Sequence, residues 1–265
     1  MKIAIIGVGK IGEAIARALK DSGYEEIVGT VRTEERLRKL SGLGIPVIRN
    51  NREAVKDADV VFICVKPHQV RGVLDEIRDL VKDKLIISVA AAVTTEFIER
   101  RAPGARVIRA MPNINIVAKS SVTAICPGKT AREEDLRVAR ELFDTMGSSI
   151  IIDEVYMDAV TAYSGSGPAY ALVFFESLLL AGMKIGLPRD VALKLAVDTM
   201  TGTARLLEKL RSHPAELRDM VITPGGVTIE AIHVLERNGF RAILMDAIDE
   251  AYRKSKVITE SISGS

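Results

Sequence analysis

Tryptophan is absent from this chain of 265 residues, and aromatic residues make up only 4% of it. The sequence therefore gives little support for a surface on which nucleic-acid bases would stack. The formal net charge of +2 is also small for this length, so no broad basic face is present. We predict that the protein has no nucleic-acid partner.

Cysteine and histidine are scarce as well. The two cysteines, Cys64 and Cys126, lie in apolar, strand-like runs without metal-ligand spacing, which predicts buried thiols in a reducing compartment. His68, His213 and His233 share no spacing typical of a metal site. We therefore predict no metal and no nucleophilic Ser/His/Asp or Cys/His set.

A long uninterrupted apolar run is missing. The longest such run, residues 169–181, contains Glu176 and is well short of the roughly 20 residues that cross a bilayer. The N-terminal MKIAIIGVGKIG is interrupted by glycines after a few apolar residues, which is typical of a strand rather than a signal peptide. These patterns predict a cytoplasmic protein with no membrane partner.

The sequence that is present changes in character near residue 152. Residues 2–152 alternate short Val/Ile-rich runs with amphipathic segments, as a parallel sheet covered by helices on both faces requires. From residue 153 the strand signals stop, and long helical patterns take over. We predict a doubly wound α/β domain over residues 1–152 and an all-helical domain over residues 153–265. The predicted strands are KIAIIG, EIVGTV, PVIR, DVVFICV, LIISVA, RVIRAM, SVTAIC and SSIIID.

The predicted helix over residues 169–181 is apolar on nearly every face. Such a helix has to be covered on all sides, and a small bundle has little interior to offer. One interpretation is a central core helix. The interpretation that we favour is a dimer in which the helices of each chain cover those of the other.

A glycine-rich turn follows the first predicted strand in IAIIGVGKIGEAIARAL, where Gly7, Gly9 and Gly12 form the pattern G-x-G-x-x-G. Between a strand and a helix, this pattern is typical of a Rossmann-type dinucleotide-binding domain. Free N–H groups at the start of the helix would hold the phosphates. The alternative is a purely structural strand–helix turn. The predicted phosphate-binding residues are Gly7, Val8, Gly9, Lys10, Ile11 and Gly12.

Cofactor choice is predicted from the end of the second strand, GTVRTEE. An acidic residue there would bind the ribose 2'-hydroxyl of NAD, but Thr30, Arg32 and Thr33 occupy this position, and Glu34 and Glu35 already belong to the next helix. A guanidinium with neighbouring hydroxyls suits a 2'-phosphate. NADPH is therefore the predicted cofactor, with NADH as the second choice. Arg32 as a solvated surface residue is the alternative.

Three further segments begin where predicted strands end: CVKPHQV, SVAAAVT and RAMPNIN. Ligands of open α/β sheets bind outside the carboxyl ends of the strands, so these segments are candidates for lining the cofactor groove. Asn113 is a candidate amide contact, and Met111 begins a candidate hinge. Lys66 as a cation at a helix end, and the alanines as packing residues, remain the alternatives.

Near the C-terminus, TPGGVTIEAI interrupts a helical stretch. Pro-Gly-Gly is a common way to end one helix and turn into the next. A helix that begins near Val227 would also present unpaired backbone N–H groups to an anion, with Thr228 in its first turn. Thr228 as an ordinary cap residue is the alternative.

Taken together, IGVGKIGEAI, VKPHQV, AMPNINI, SGSGPAY and above all DMVITPGGVTIEAIHVLERNGFRAILMDAIDEA resemble the pyrroline-5-carboxylate reductase family over essentially the full chain. The resemblance implies NAD(P)H-dependent reduction of the C=N bond of 1-pyrroline-5-carboxylate to L-proline. It also implies a dimer formed through the helical domain, with a higher oligomer left open.

The resemblance further implies roles for individual residues. Thr228 would be the catalytic residue, whose hydroxyl meets the ring nitrogen of the substrate. The substrate carboxylate would lie in a backbone cradle formed by Thr223, Gly225, Gly226 and Val227. The additional residues that the resemblance places against the cofactor are Asn51, Val65, Lys66, Pro67, Ala90 and Ala91.

Two positions depart from the pattern of the family. Ala92 stands where many members carry glycine, which leaves the backbone path there open. Leu180 stands where several members carry an acid, so no polar role is transferred to it.

Two competing functions stay open at this point. A β-hydroxyacid dehydrogenase would share the overall plan, but such enzymes use a helix-borne lysine, and Lys184 and Lys194 are predicted to be surface residues. A non-catalytic NADP-binding module would explain the glycine pattern but not TPGGVT.

Overall fold

A computed structural model describes residues 1–263 of the chain. The predicted α/β fold with a helical second half is confirmed. The strands are β1 (Ile3–Ile6), β2 (Ile27–Thr30), β3 (Val47–Ile48), β4 (Val60–Ile63), β5 (Leu85–Ser88), β6 (Arg106–Met111), β7 (Ser121–Pro127) and β8 (Gly147–Ile151). They form one eight-stranded sheet in the order β3-β2-β1-β4-β5-β6-β7-β8. The order reverses beside β1, so a crevice opens at the carboxyl ends of β1 and β4.

Helices connect the strands and then form the rest of the chain. The helices between strands are α1 (Lys10–Asp21), α2 (Glu34–Lys39), α3 (Asn51–Lys56), α4 (Pro67–Ile77), α5 (Thr95–Arg101) and α6 (Glu133–Asp144). The helices after β8 are α7 (Met157–Val160), α8 (Gly167–Lys184), α9 (Arg189–Leu210), α10 (Pro214–Asp219), α11 (Val227–Arg237) and α12 (Phe240–Ser263). A π-helical turn, Thr161–Gly165, separates α7 from α8.

One pair of strands departs from the predicted parallel sheet. β7 runs antiparallel to β6, with Arg109 opposite Cys126. Residues 112–120, which join these strands, contain only a short 3₁₀ turn. A parallel crossover needs a dozen or more residues, so this connection is too short to bring β7 back in the same direction.

Apolar side chains fill both faces of the sheet. On one face Phe62 packs edge-on against Phe143, with ring centroids 5.9 Å apart. On the other face Leu74 and Ile77 of α4 pack with Ile86. All three lie among the fully buried side chains of the structure. The carboxyl ends of the strands are thus fixed by a close-packed core.

The chain divides into two compact units. The sheet unit contains Met1–Pro168 and the chain from Glu250 onward, and the helical unit contains Ala169–Asp249. Helix α12 therefore begins in the helical unit and ends in the sheet unit. The predicted domain boundary at residue 152 lies inside the sheet unit and stays a prediction.

A buried ionic network lies where the chain leaves and re-enters the sheet unit. Arg109 on β6 is 2% exposed, and its Nη1 donates a hydrogen bond to Glu154 at 3.2 Å. Its Nη2 lies 3.8 Å from the Asp158 carboxylate. Asp158 also accepts hydrogen bonds from Ser255 and Thr259 of α12, at 3.0 and 2.7 Å. The network joins β6, α7 and the end of α12.

The helical unit leaves much apolar surface open. Of the residues of α8, only Leu179 is buried, while Leu172 and Val173 are 66% and 65% exposed. A central core helix is therefore the wrong interpretation, because such a helix would be covered within one chain.

By length and composition alone, the helical stretch Glu154–Lys184 is also able to cross a membrane, which the length of the apolar run did not predict. Apolar helices of soluble proteins share this length and composition.

Candidate active site

The turn between β1 and α1 uses its three glycines in different ways. Gly7 has a φ of +92°, and a Cβ there would meet Val65 at 2.6 Å. A Cβ on Gly12 would meet the carbonyl oxygen of Gly7 at 2.5 Å, so Gly12 allows the helix to pack against the turn. Gly9 faces open space, because a Cβ added to it would meet no described atom within 4 Å. The space beside Gly9 suits a group that approaches the backbone, as a pyrophosphate does.

The start of α1 also leaves backbone donors available. Gly9 is the N-cap residue and provides no side-chain cap. The first N–H groups of a helix lack partners within the helix, and they carry the positive end of its dipole. The local geometry of the turn therefore fits a dinucleotide phosphate.

A cleft of about 610 Å³ opens at this turn, along the carboxyl ends of β1, β2, β4 and β5. It brings together most of the predicted cofactor residues and adds five that the sequence patterns did not predict. The predicted residues that line it are Gly7, Val8, Gly9, Lys10, Ile11, Arg32, Thr33, Val65, Lys66, Pro67, Ala90 and Ala91. The additional residues are Val31, Arg36, Cys64, Gln69 and Val89.

Asn51 does not line the cleft, but a chain of hydrogen bonds connects it to the glycine turn. The Thr30 hydroxyl donates to Asn51 Oδ1 at 2.7 Å and accepts from the backbone N–H of Gly7 at 3.3 Å. The Asn51 amide donates to Glu76 at 2.8 Å. Asn51 is thus placed to hold the turn, and the predicted direct contact with a cofactor stays a prediction.

Met111 and Asn113 also lie outside the cleft lining. The Asn113 side-chain amide donates to the carbonyl of Ser164 at 3.0 Å, and its Oδ1 accepts from the backbone N–H of Asn115 at 3.0 Å. Asn113 therefore supports the π-helical turn. Met111 packs with a small apolar cluster that includes Cys126. Their predicted contacts with a cofactor stay predictions.

The charged side chains of the cleft lie at its rim. Arg32 is exposed, Lys66 is the exposed N-cap residue of α4, and Pro67 is the first residue of that helix. Thr33 caps α2 by accepting a hydrogen bond from the backbone N–H of Arg36 at 3.3 Å. The rim therefore carries positive charge at the end of β2, where the ribose of a dinucleotide binds in this fold.

Cys64 faces the cleft and is half-buried rather than buried, because one side of it borders this open space. Burial raises the pKa of its thiol. A thiol with a raised pKa is a poor nucleophile near neutral pH. The site therefore holds no activated cysteine among these lining residues.

The TPGGVT turn is part of the helical unit. Gly225 has a φ of +67°, which favours glycine. The backbone N–H of Gly226 donates to the Thr223 carbonyl at 3.0 Å, and a Cβ on Gly226 would collide with the Thr223 side chain. Helix α11 begins at Val227, as predicted, with Gly226 as its N-cap and no side-chain cap. Its first N–H groups are thus left for another acceptor, and Thr228 is half-buried beside them.

The histidines and the two lysines considered as catalytic or metal-binding candidates lie on the surface. His68, His213 and His233 are exposed, and His213 caps α10. Lys184 and Lys194 are exposed, as predicted. Within residues 1–263, no group of three or more His, Cys, Asp or Glu side chains is arranged to hold a metal ion.

Ala92 has a φ of +62° and is buried beside the cleft. This left-handed backbone is the conformation that glycine adopts readily. The backbone at this position therefore has the conformation that a glycine would adopt, although the residue here is alanine. Leu180 is 58% exposed, so it has an apolar surface where the family pattern has an acid.

Family models match two parts of the chain. Residues 154–258 match pyrroline-5-carboxylate reductase dimerisation, and residues 2–92 match NADP oxidoreductase coenzyme F420-dependent. The pyrroline-5-carboxylate reductase of Methanosarcina acetivorans is 38% identical over 96% of this chain and 97% of its own length. The chain belongs to the pyrroline-5-carboxylate reductase family.

Solved structures of the pyrroline-5-carboxylate reductase family match nearly the whole chain. The Streptococcus pyogenes reductase has a TM-score of 0.89 at 32% identity and covers 97% of this chain and 98% of its own. The Plasmodium falciparum reductase with NADP bound has a TM-score of 0.91 at 27% identity, with 98% of each chain covered. The match to the dimerisation model indicates that the helical segment serves in oligomerisation.

Proposed function

We propose that this protein is a pyrroline-5-carboxylate reductase, which transfers a hydride to the C=N bond of 1-pyrroline-5-carboxylate and forms L-proline. The observation that carries the proposal is full-length similarity to named reductases together with a glycine turn that fits a dinucleotide. The substrate is a small molecule, and the reaction is the last step of proline biosynthesis.

NADPH is the proposed cofactor, with NADH as a weaker alternative. The relative from Plasmodium falciparum has NADP bound. In this chain, Gly7, Gly9 and the first N–H groups of α1 would hold the pyrophosphate. Arg32 and Thr33 lie on the same cleft at the end of β2, where a 2'-phosphate would find a cation and a hydroxyl. When bound, the cofactor supplies the hydride.

The protein's main task is orientation, because a protonated cyclic imine is already an electrophile. The absence of a histidine or glutamate catalyst from the lining of the cleft is consistent with that chemistry. Ala90 and Ala91 at the end of β5 would border the nicotinamide ribose without blocking its approach. The apolar wall of the cleft would exclude water.

The TPGGVT turn is the proposed substrate site. The uncapped N–H groups at the start of α11 and the backbone of Thr223, Gly225, Gly226 and Val227 would hold the substrate carboxylate. The Thr228 hydroxyl would accept a hydrogen bond from the iminium N–H and would donate one to the amine of the product. It would thereby hold the ring in position for hydride transfer.

We propose that the protein is a homodimer through its helical domain, and that it works in the cytoplasm. The exposed apolar side chains of α8 and the match to the dimerisation model support the dimer. A larger assembly built from such dimers is the extension of this proposal.

The first test uses Thr228→Ala, with Thr228→Ser as the conservative variant and the exposed Thr203→Ala as a matched control. We expect Thr228→Ala to lower turnover by about tenfold or more, because a hydrogen bond that orients the reacting ring is lost. Thr228→Ser should keep most activity, and NADPH affinity should be the same in all variants. Undiminished catalytic efficiency in Thr228→Ala would remove this residue from the mechanism.

The second test offers 3-hydroxy acids in parallel with 1-pyrroline-5-carboxylate. Oxidation of NADPH should depend on the cyclic imine alone. Turnover of a 3-hydroxy acid with NADP would instead support a β-hydroxyacid dehydrogenase, and binding of NADPH without any turnover would support a non-catalytic module.

A further inference from the structure

Arg36 is a cation of the cofactor cleft that the sequence patterns did not predict. It lies on α2, one turn after Arg32, and its side chain lines the same cleft as Arg32 and Thr33. The side chain is 35% exposed, so it is partly withdrawn from solvent. Its position therefore differs from that of a solvated surface arginine.

Two bonds hold the guanidinium of Arg36 in place. Its Nε donates to the carbonyl oxygen of Val8, in the glycine turn, at 3.2 Å. Its Nη2 donates to Glu13 Oε2, in the first turn of α1, at 2.8 Å. The third nitrogen, Nη1, takes part in neither bond. The guanidinium is thus fixed against the turn, and one edge of it is left for a further acceptor.

Arg32 is held differently. It is exposed, and among residues 1–263 it makes no hydrogen bond or ion pair. An arginine that is already ordered loses less side-chain entropy when it binds an anion than one that moves freely in solvent. Arg36 is therefore the better-prepared cation of the two.

The local charge also favours a phosphate. Glu13 is shared between Arg36 and Arg17, which contact its two carboxylate oxygens at 2.8 and 3.0 Å. The charged residues that line the cleft are Lys10, Arg32, Arg36 and Lys66, and none of its lining residues is acidic. A phosphate monoester near neutral pH carries between one and two negative charges, and the guanidinium fork is well suited to bind it.

We infer that Arg36 binds the 2'-phosphate of NADPH and determines the preference of this protein for NADPH over NADH. Glu13 is the positioning residue that orients Arg36. The inference rests on the proposed function, because it assumes that the cleft holds a nicotinamide dinucleotide.

The test measures binding rather than turnover. The dissociation constants of NADPH and NADH are determined by calorimetry for the full chain and for Arg36→Gln, Arg36→Lys and Arg38→Gln. Arg38 lies on the same helix, is exposed, and does not line the cleft, so Arg38→Gln is the matched control. We expect Arg36→Gln to weaken NADPH about tenfold and to leave NADH unchanged, because only NADPH carries the phosphate. Arg36→Lys should recover part of the loss.

Two results would overturn the inference. Equal weakening of NADPH and NADH by Arg36→Gln would mean that Arg36 only supports the glycine turn through Val8. Unchanged affinity for both would mean that Arg36 does not meet the ligand. Turnover of 1-pyrroline-5-carboxylate is measured separately at saturating NADPH. If turnover is retained together with either of these results, the proposed reductase function stands. If the unmodified protein shows no turnover, that result counts against the reductase function instead.

Discussion

The sheet unit and the helical unit differ in how completely one chain covers their apolar side chains. In the sheet unit, every residue of β1 is buried, and helices pack on both faces of the sheet. In the helical unit, α11 has no buried residue and α8 has one. Large side chains such as Val173 and Ile243 are mostly exposed.

Because of this difference, cofactor binding and assembly have separate structural requirements. The cleft for the cofactor is formed by residues of the sheet unit alone, so one chain is sufficient to build it. The apolar faces of the helical unit are left uncovered, and the match to the dimerisation model indicates that they serve in oligomerisation, for which we propose a second copy of the chain. Cofactor binding and assembly should therefore respond to different substitutions.

The largest expected effect comes from a charge in the exposed face of α8. Val173→Glu should convert the dimer to a monomer, because a carboxylate buried in an apolar interface without a partner is strongly unfavourable. We expect a loss of turnover, while NADPH binding is retained. Light scattering measures the mass of the assembly, the loss of NADPH absorbance measures turnover, and calorimetry measures NADPH binding.

The control for Val173→Glu is Val117→Glu. Val117 is a similarly exposed valine of the sheet unit, at 73% against 65% for Val173. Val117→Glu should leave the mass of the assembly, as measured by light scattering, unchanged. If the dimer persists in Val173→Glu, the exposed face of α8 is not the interface. Assembly would then not depend on this face of the helical unit.

The second largest effect is expected in the ionic network of the sheet unit. Arg109→Met should lower the free energy of unfolding by about 3 kcal/mol, because Glu154 and Asp158 would lose their buried cation. Urea unfolding measures the change. Arg52→Met removes an exposed arginine bound to Asp79 and should change stability little. Equal effects of the two variants would contradict the account of the network.

A smaller effect is expected at Ala92. In Ala92→Gly, relief of about 1 kcal/mol of left-handed strain should offset the loss of a buried methyl group, so the net change should be close to zero. Ala139 is a buried alanine within α6, and Ala139→Gly should cost about 1–2 kcal/mol. Thermal unfolding compares them. A loss at Ala92 as large as that at Ala139 would show that the backbone there is not strained.

The smallest effect concerns the buried thiol of Cys126. Burial, and then the nearby Glu154 carboxylate, raise its pKa to about 12. The unfolded chain releases this proton near pH 8.5, so the stabilising contribution is complete below that pH and is lost as the pH rises towards 12. At pH 8, iodoacetamide should label Cys126 only after unfolding, as mass spectrometry would detect. Val173→Glu should not speed this labelling, and rapid labelling in the native state would contradict the closed core.

Most of the fold could be predicted from the sequence, because Val/Ile runs favour buried strands and glycines mark the turns between strands and helices. All eight predicted strand segments form strands. The antiparallel direction of β7 was missed, since an apolar run has no direction, and it follows only from the short connection before it.

The candidate site was accessible in part. The G-x-G-x-x-G pattern fixed the position of the cleft, and the end of β2 pointed to Arg32 and Thr33. Arg36 was missed because its place on the cleft depends on a bond to Val8, which is far away in sequence. The role of Thr228 came from the family resemblance and remains a prediction.

The most direct measurement of the central claim is the stoichiometry of the reaction. Purified protein is incubated with NADPH and 1-pyrroline-5-carboxylate, the loss of NADPH absorbance is followed, and the product is identified by chiral amino-acid analysis. We predict one L-proline formed for each NADPH oxidised, and no oxidation without the imine. Binding of NADPH without formation of L-proline would contradict the account.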